Sequence, residues 1–520
     1  MRQAGCLIPL FSIRTRTGWG LGEIPDLVPF ARWASSAGFS VAQVLPVHEA
    51  SRGQSSPYAA LSAFAIDPVY LGIDALDDFA AAGGRDALSP AEQQEVSALR
   101  GAPAVPWPRV RALKARALAI AFQSFLEREW RRGGARARQL REYRREHARW
   151  LDEYTLFVAL HDGRYRGRAW TTWDAPLRDR DPAALASARA ACSDRVLYHA
   201  WLQWQLDLQW RSARQAAGEV GVELMGDLPF MVATDSADVW SRPLDFRLDA
   251  RVGVPPDAFS ETGQDWGLPL YRWDVMAAGG YEWMDERARR SAELYGLYRV
   301  DHVVGLYRTY YRAGDGGPPA FLPETEPEQI QNGEQVLEIF SRRARVIAED
   351  LGTVPDFVRA SLVRCGIPGY RVLRWERDWE EEGQPFRDPS SWPALSVGTT
   401  GTHDTDSLAD WYDDMAEEER AAFLALPALA ALRDRAAARF DAGVRDAVLD
   451  LVYRSGSDLL LLPFQDALGS RERVNVPGTV TEANWTYRMP LEISALANDA
   501  APAERLRGLA ARSGRLTVGT

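Results

Sequence analysis

Short apolar segments recur along this 520-residue chain and are separated by helical or loop-like stretches. Buried parallel strands have this near-continuous apolar character because both faces of their sheet are covered. Seven segments predict such strands, at 41–47, 222–226, 297–300, 345–349, 370–375, 394–399 and 458–464. The segment AFAIDPVYL at 63–71 is a possible eighth. The alternation predicts an α/β protein with a parallel sheet.

The intervals between these strands are uneven, which predicts large insertions into one fold. Eight βα units account for the length and the strand count as a single (β/α)8, or TIM, barrel over residues 1–520. Three insertions are expected: a mainly helical one at 73–200, a Pro-, Gly- and Trp-rich loop at 229–290 and a helical one at 405–455. The loop is too long and too aromatic for an idle linker, so we expect it to border an active site.

The net charge and the cysteine content limit which binding partners and which cellular compartment are expected. With 61 basic and 72 acidic side chains the formal net charge is −11, which disfavours nucleic acid and anionic membranes as partners. No segment approaches the roughly 18 consecutive apolar residues of a membrane span. No signal or transit peptide is evident, and three widely spaced cysteines suit reduced thiols, so a cytoplasmic location is expected.

The sequence lacks the motifs that several kinds of cofactor-dependent chemistry require. The one lysine, Lys114, lies in the helical pattern RALKARALAI without the glycine loop of a phosphate site. Lys114 looks exposed there and is the sole candidate for Schiff-base catalysis. The six histidines lack HExxH spacing, no cysteine pair has zinc spacing, and GWGLGE at 18–23 does not fit GxGxxG. We therefore expect neither a metal nor a cofactor.

Four acidic residues stand at or just beyond the ends of predicted strands. They are Asp227 in LMGDLPF, Asp301 in YRVDHVVG, Glu349 in IAEDLG and Asp404 in TTGTHDTDS, separated by 74, 48 and 55 residues. In a barrel the carboxyl ends of the strands converge on one mouth, so these acids are expected to meet there. The alternative is that they are ordinary polar residues where strands leave the core.

A mouth that holds several carboxylates and is rich in aromatic residues suits a sugar polymer. Glycosyl transfer needs one protonated carboxyl group for the leaving oxygen and an ionised one about 5 to 5.5 Å away. Aromatic faces hold sugar rings, and Tyr58, Trp266 and Tyr281 lie in loops where such contacts are possible. Metal binding by clustered carboxylates is the competing chemistry, which is disfavoured because these acids come singly from separate strands.

Motifs spread over nearly the whole chain strengthen this hypothesis. They are GWGLGEIPDL near the start, SSPYAALSAFAIDP at 55–68, GDLPFMVATDSADVW at 226–240, GVPPDAFSETGQDWGLPLYRW at 253–273, YRVDHVVG at 298–305, AEDLGTVP at 348–355, GTHDTDS at 401–407 and VNVPGTVTEANWTYR at 474–488. Together they resemble the 4-α-glucanotransferases, also called amylomaltases or disproportionating enzymes, of glycoside hydrolase family 77 in the α-amylase clan.

The resemblance assigns catalytic roles to three of the acids. It implies that Asp301 is the nucleophile, Glu349 the general acid and base, and Asp404 a third acid that grips sugar hydroxyls. These roles agree with elementary electrostatics. The cation of Arg299, on the same strand face as Asp301, would favour an ionised nucleophile, and a dry, carboxylate-crowded setting would keep a proton on Glu349 near neutrality.

The resemblance also implies substrate-binding positions. His302 and His403 match sugar-contacting positions, with structural hydrogen bonding as the alternative. Tyr58 matches a position that touches glucan away from the reaction centre, or it simply packs on its loop. Asp227 is expected to order the site rather than to react.

The loop 253–273 is expected to control access to these residues. Through Phe259, Gln264 and Trp266 it would close over the donor, exclude water and bind the acceptor chain. Such a device matters because a covalent glycosyl-enzyme has to await another glucan instead of reacting with water.

The resemblance implies an enzyme that moves α-1,4-glucan segments from donor to acceptor by a retaining double displacement through a covalent glycosyl-aspartate. The expected partners are α-1,4-glucans and maltooligosaccharides, and the expected state is a monomer or a weak homo-oligomer. Three alternatives stay open: an α-glucan hydrolase on the same barrel, a catalytically silent glucan-binding scaffold and a carboxylate-rich metal hydrolase.

Overall fold

A computed structural model describes residues 2–51, 53–54, 56–256, 263–314, 317–434 and 438–516. The strands in these ranges are β1 Gln3–Leu7, β2 Val41–Gln43, β3 Glu223–Leu228, β4 Phe246–Val254, β5 Gln264–Tyr271, β6 Leu297–Val300, β7 Thr309–Ala313, β8 Ala320–Leu322, β9 Arg345–Ala348, β10 Gly369–Val372, β11 Ser396–Thr399 and β12 Leu459–Pro463.

Eight of these strands form a closed parallel barrel in the order β1-β12-β11-β10-β9-β6-β3-β2. The predicted (β/α)8 fold is therefore confirmed, and so are the seven strands read from apolar segments. Parallel neighbours need a crossover between them, which explains why helices and long insertions separate these strands in the sequence.

The eighth barrel strand is Gln3–Leu7, so the prediction of a strand at 63–71 is wrong. Residues 63–71 instead include a 3-10 turn at Pro68–Tyr70, which Asp67 caps by accepting the N–H of Val69. Proline has no N–H for a strand ladder, and the aspartate cap favours a turn. The true strand, QAGCL, lacks a run of large apolar residues and so escapes the pattern.

The helices surround the barrel and fill the long intervals between its strands. Within the described ranges they are α1 Leu27–Ser36, α2 Asp77–Ala81, α3 Pro90–Gly101, α4 Trp107–Phe125, α5 Ala135–Glu146, α6 Ala148–Val158, α7 Ala175–Arg178, α8 Pro182–Ala191, α9 Ser193–Glu219, α10 Ala237–Ser241, α11 Trp273–Ala278, α12 Glu282–Leu294, α13 Val304–Tyr307, α14 Glu326–Ser341, α15 Asp356–Arg364, α16 Leu408–Asp414, α17 Glu417–Leu424, α18 Ala430–Asp434, α19 Ala442–Tyr453, α20 Phe464–Leu468, α21 Ile493–Asn498 and α22 Ala500–Arg512. In this part of the chain no helix is both long and apolar enough to span a membrane.

A second sheet lies outside the barrel. Its strands run in the order β5-β4-β7-β8, and all its pairs are antiparallel. Strands β4 and β5 come from the interval between β3 and β6, whereas β7 and β8 follow β6. This sheet therefore joins the region 229–290, which is predicted to be a loop but contains β4 and β5, to the chain that leaves the barrel after Asp301.

The barrel interior holds an apolar cluster, which we call the inner cluster. Its buried members are Val41, Met225, Leu297, Ile347, Tyr370, Val372, Val397, Leu459 and Leu461. Side chains alternate between the two faces of a strand, so the residue two positions beyond an inward-facing one points inward as well. By this rule Asp227, Arg299 and Glu349 continue the inward rows of Met225, Leu297 and Ile347 toward the mouth of the barrel.

Lys114 is buried, contrary to the expectation of an exposed amine. Its Nζ lies 2.6 Å from Oε1 of Glu23 and donates to the carbonyl oxygens of Val69 and Leu71. The position falls on the buried face of α4, beside Leu113 and Ala117. With its three hydrogens directed at oxygen acceptors, this amine has a structural role, which removes the remaining candidate for lysine Schiff-base chemistry.

Candidate active site

The four acids predicted from the sequence all lie at the carboxyl ends of barrel strands. Asp227 is the fifth residue of β3, Asp301 directly follows β6, and Glu349 directly follows β9. These three strands are neighbours in the barrel, and Asp227 is paired in register with Arg299 of β6. Asp404 lies in the loop that leaves β11. The mouth of the barrel thus gathers residues that are far apart in sequence.

Arg299 links three of these acids through one guanidinium group. Its Nη1 donates to Oδ1 of Asp227 at 2.7 Å and lies 2.8 Å from Oδ1 of Asp301. Its Nη2 lies 3.9 Å from Oε2 of Glu349. A shared guanidinium places Asp301 and Glu349 at one site, and its charge offsets the mutual repulsion of carboxylates.

Glu349 is held in place and largely removed from water. Its Oε2 accepts the backbone N–H of His302 at 2.8 Å, its Oε1 accepts the N–H of Leu351 at 3.0 Å, and its side chain is 12% exposed. The pKa of Glu349 is raised to about 7, chiefly by burial; the charge of Asp301 also raises it, whereas Arg299 and the two N–H groups lower it. The carboxyl group therefore exchanges a proton near neutrality, as a general acid and base must.

Asp301 and Asp404 are more open to the mouth than Glu349. The Asp301 side chain is 24% exposed and that of Asp404 is 40% exposed. Oδ1 of Asp404 accepts a hydrogen bond from Nδ2 of Asn475 at 2.7 Å, and Oδ2 lies 3.5 Å from Nε2 of His403. Accessible carboxylates beside a buried, protonatable one are the arrangement that sugar chemistry requires.

Tyr58, His403 and Trp485 form a group of rings beside the acids. The Tyr58 ring stacks on His403 at a centroid distance of 5.3 Å, and Trp485 packs against both rings. The Tyr58 hydroxyl donates to Oδ2 of Asp227 at 2.8 Å. Burial and the neighbouring Asp227 raise the pKa of Tyr58, so its hydroxyl stays neutral. Tyr58 therefore connects its own loop to the acidic cluster.

The ring of His302, whose backbone N–H contacts Glu349, lies against two aromatic rings. Its ring centroid is 4.8 Å from that of Trp266 and 5.6 Å from that of Phe230, with edge-to-face geometry in both pairs. Burial lowers the pKa of His302 to about 4, so its ring is neutral at neutral pH and has one nitrogen able to donate and one able to accept a hydrogen bond. Trp266 and His302, both candidates from the sequence, are thereby brought into contact.

Not every residue considered in the sequence lies at this mouth. Tyr281 is buried and its hydroxyl contacts the side-chain oxygens of Asn332 and Gln335, so it does not offer a face to a sugar. Gln264 accepts the indole N–H of Trp266. Phe259 lies outside the described residues.

Sequence reasoning missed three residues of this region. Asn475 and Arg473 hold Asp404, the first through its carboxylate and the second through its backbone carbonyl. Trp485 packs under Tyr58 and His403 from the same segment of the chain. Asn475 and Trp485 belong to the motif VNVPGTVTEANWTYR, which was the available signal, although no regular periodicity assigns them to a face.

The chemical repertoire of the mouth follows from its side chains. Among the described residues no group of three or more His, Cys, Asp or Glu side chains is arranged to hold a metal ion. The mouth instead pairs a protonatable carboxyl group with an arginine-bound one and borders them with rings. A barrel with this site defines the class of enzymes that make and break glycosidic bonds.

Comparison with known proteins specifies the family. The chain belongs to the 4-alpha-glucanotransferases, whose family model matches residues 8–493. A 4-alpha-glucanotransferase of Thermus thermophilus is 35% identical over 480 residues, covering 89% of this chain and 90% of that protein. One from Chlamydia pneumoniae is 31% identical over 511 residues, covering 95% and 92%.

A solved structure agrees with this assignment. The amylomaltase of Streptococcus agalactiae in complex with acarbose superposes with a TM-score of 0.84 at 25% sequence identity, covering 99% of this chain and all of that one. The predicted family and enzyme class are therefore confirmed.

Proposed function

We propose that this enzyme transfers segments of α-1,4-glucan from donor chains to acceptor chains with retention of configuration. The observation that carries the proposal is the position of Arg299, which lies 2.8 Å from the more exposed Asp301 and 3.9 Å from Glu349, a buried carboxyl group with a raised pKa. A retaining mechanism needs this difference between two carboxyl groups at one site.

In the first step the donor chain is cleaved. Protonated Glu349 gives its proton to the glycosidic oxygen while the bond between that oxygen and the anomeric carbon breaks. A carboxylate oxygen of Asp301 bonds to the same carbon, and the leaving glucan departs with a 4-hydroxyl. The product of this step is a glycosyl-aspartate on Asp301.

In the second step the segment is transferred. Glu349, now ionised, takes the proton of an acceptor 4-hydroxyl, whose oxygen bonds to the anomeric carbon as the Asp301 carboxylate leaves. Two inversions give net retention. The pKa of Glu349 near 7 supports both directions of proton transfer at neutral pH.

The remaining candidates bind and orient the sugar in this proposal. Asp404 and His403 receive hydroxyls of the donor ring, while neutral His302 and the adjacent Trp266 border the reaction centre. Asp227, fully buried against Arg299 and Tyr58, orders the site and does not react.

We also propose how the chain is organised and where it acts. Residues 1–520 form one catalytic barrel domain with insertions at 73–200, 229–290 and 405–455, acting as a monomer or weak homo-oligomer. The enzyme works in the cytoplasm on glucans and maltooligosaccharides. Free cysteines, one of them the exposed Cys365, support a reducing compartment.

Incubation with maltotriose alone tests the proposed reaction. A transferase produces free glucose together with oligomers longer than maltotriose, whereas a hydrolase produces only shorter sugars. Asp301→Asn is expected to abolish both products. A silent binding scaffold predicts no activity to lose, and activity that disappears with a chelator would instead indicate a metal hydrolase.

A further inference from the structure

The segment that leaves β10 emerges between two of the acids. Strand β10 is flanked in the barrel by β9, which ends at Glu349, and by β11, which leads to Asp404. Residues 373–388, which we call the β10 loop, start from the carboxyl end of this strand. The geometry of a parallel barrel therefore directs the β10 loop to the same mouth.

The β10 loop carries a tryptophan that is open to solvent. Trp379 is 55% exposed, and among the described residues it is the one aromatic in the set of large, exposed hydrophobic side chains. Its indole N–H donates to the carbonyl oxygen of Trp375 at 3.3 Å, and the Arg377 guanidinium lies 5.1 Å from its ring centroid. An indole that is exposed and also oriented by two contacts is prepared for a ligand.

The loop that presents this ring is braced. Arg377 pairs with Phe386 in an isolated antiparallel bridge and donates to the carbonyl oxygen of Gln384 at 2.9 Å. Arg387 donates to Asp378 at 2.6 Å, and Phe386 packs edge-to-face on Phe423 of α17. Trp379 therefore stands on a supported hairpin and is not carried by a free tail.

Trp375 connects this hairpin to the barrel interior. It is partly buried and packs against the inner cluster, on whose inward rows the acids stand. Trp379 lies four residues further along the same segment, closer to solvent, and its indole N–H donates to the carbonyl oxygen of Trp375. A chain that leaves the reaction centre along the β10 loop thus meets Trp379 outside the enclosed part of the mouth.

We propose that Trp379 is an outer binding platform that stacks on a glucose ring of a long α-glucan bound at Asp301 and Glu349. The proposal rests on the function proposed above and adds a preference for long chains. A pyranose ring presents an apolar face that matches an indole, while the exposed carboxylates of Glu380 and Glu381 accept hydroxyl hydrogens at its edge. Protein partners usually require a wider apolar patch than one ring.

Donor kinetics with amylose and with maltotriose test the platform. In Trp379→Ala, the ratio of kcat/KM for amylose to kcat/KM for maltotriose is expected to fall about fivefold, the effect of losing one aromatic contact. Trp379→Phe keeps a ring and should recover most of the ratio. Val363→Ala, which removes an exposed apolar side chain from α15, is the control and leaves the ratio unchanged. An unchanged ratio in Trp379→Ala overturns the proposal.

Binding is measured separately from turnover so that the two proposals can fail independently. In native gels that contain amylose, the wild-type protein is expected to migrate more slowly than Trp379→Ala, and Val363→Ala should migrate like wild type. If amylose retards the wild type, Trp379→Ala and Val363→Ala equally, Trp379 is not a binding platform, even when the enzyme disproportionates maltotriose. A wild type that binds amylose through Trp379 but makes no longer oligomers refutes the transferase function alone. Equal thermal melting of the variants establishes that each is folded.

Discussion

The backbone N–H of His302 donates to Oε2 of Glu349 at 2.8 Å, across 47 residues of sequence. His302 has a φ of 47°, in the left-handed region that a residue other than glycine rarely adopts. This conformation lets one residue direct its N–H to Glu349 while its ring packs on Trp266. The strained backbone of His302 thus helps to orient Glu349, the group that transfers the proton.

The pKa of Glu349 predicts the alkaline limit of activity. Cleavage of the donor needs a protonated Glu349, whose pKa burial raises to about 7. We expect kcat/KM for maltotriose to fall tenfold for each pH unit well above that value. A pH-rate profile at constant ionic strength measures it, and an activity that stays level to pH about 9 would contradict this assignment.

The same pKa predicts that Glu349 reduces stability in alkali. Its pKa is about 7 in the folded chain against an ordinary 4.5, so its destabilising effect is absent below the lower value, grows as pH rises between the two values and stays constant above the higher one. The glutamine in Glu349→Gln cannot ionise. At alkaline pH we therefore expect the free energy of unfolding of this variant to exceed that of the wild type by up to about 3 kcal/mol. Thermal melts at pH about 5 and about 8.5 should show a much larger gain at the higher pH.

Removal of Arg299 should damage both folding and catalysis. Arg299→Gln leaves Asp227, which is fully buried, without its cation, and breaking a buried pair costs about 3 to 5 kcal/mol. Arg345→Gln removes an exposed arginine that pairs with Glu223 and should cost at most about 1 kcal/mol. Urea unfolding compares the two variants, and similar losses would show that Arg299 does not stabilise the acids.

Asn475 is expected to position Asp404. Asn475→Ala removes the hydrogen bond to Oδ1 of Asp404, and we expect kcat to fall about tenfold, the effect of one hydrogen bond to a charged group. Because the Asp404 side chain is partly exposed, thermal stability should change little. Asn498→Ala, at an exposed position in α21, is the control. A wild-type kcat in Asn475→Ala would show that Asn475 is not needed to position Asp404.

Trp266 is expected to suppress hydrolysis. Trp266→Ala opens one side of His302 and admits water to the glycosyl-enzyme, so the ratio of free glucose to longer glucans should rise about fivefold. Trp266→Phe retains a ring and should give a smaller rise. Chromatography of the maltotriose products measures the ratio, and the wild-type ratio in Trp266→Ala would disprove the shielding role.

The sequence predicts the barrel well because its strands are apolar runs bounded by turn residues. It fails for β1, where QAGCL is short and includes a glycine and a glutamine. The acids are predictable because they lie at or shortly beyond the carboxyl ends of strands, and these ends converge in a barrel. Asn475 and Trp485 are not predictable in this way, because they belong to an irregular segment whose path to the site depends on tertiary contacts. Lys114 is misjudged because its partner Glu23 is distant in sequence.

The register of β1 against β12 has a consequence for biosynthesis. Gln3 through Leu7 pair in parallel with Leu459 through Pro463, so the first described barrel strand closes the ring with the last one, more than 450 residues further along the sequence. A nascent chain on the ribosome therefore carries β1 with one open edge until β12 has been synthesised. Ring closure therefore waits for the synthesis of β12, and a chain that terminates before β12 lacks the strand that completes the barrel.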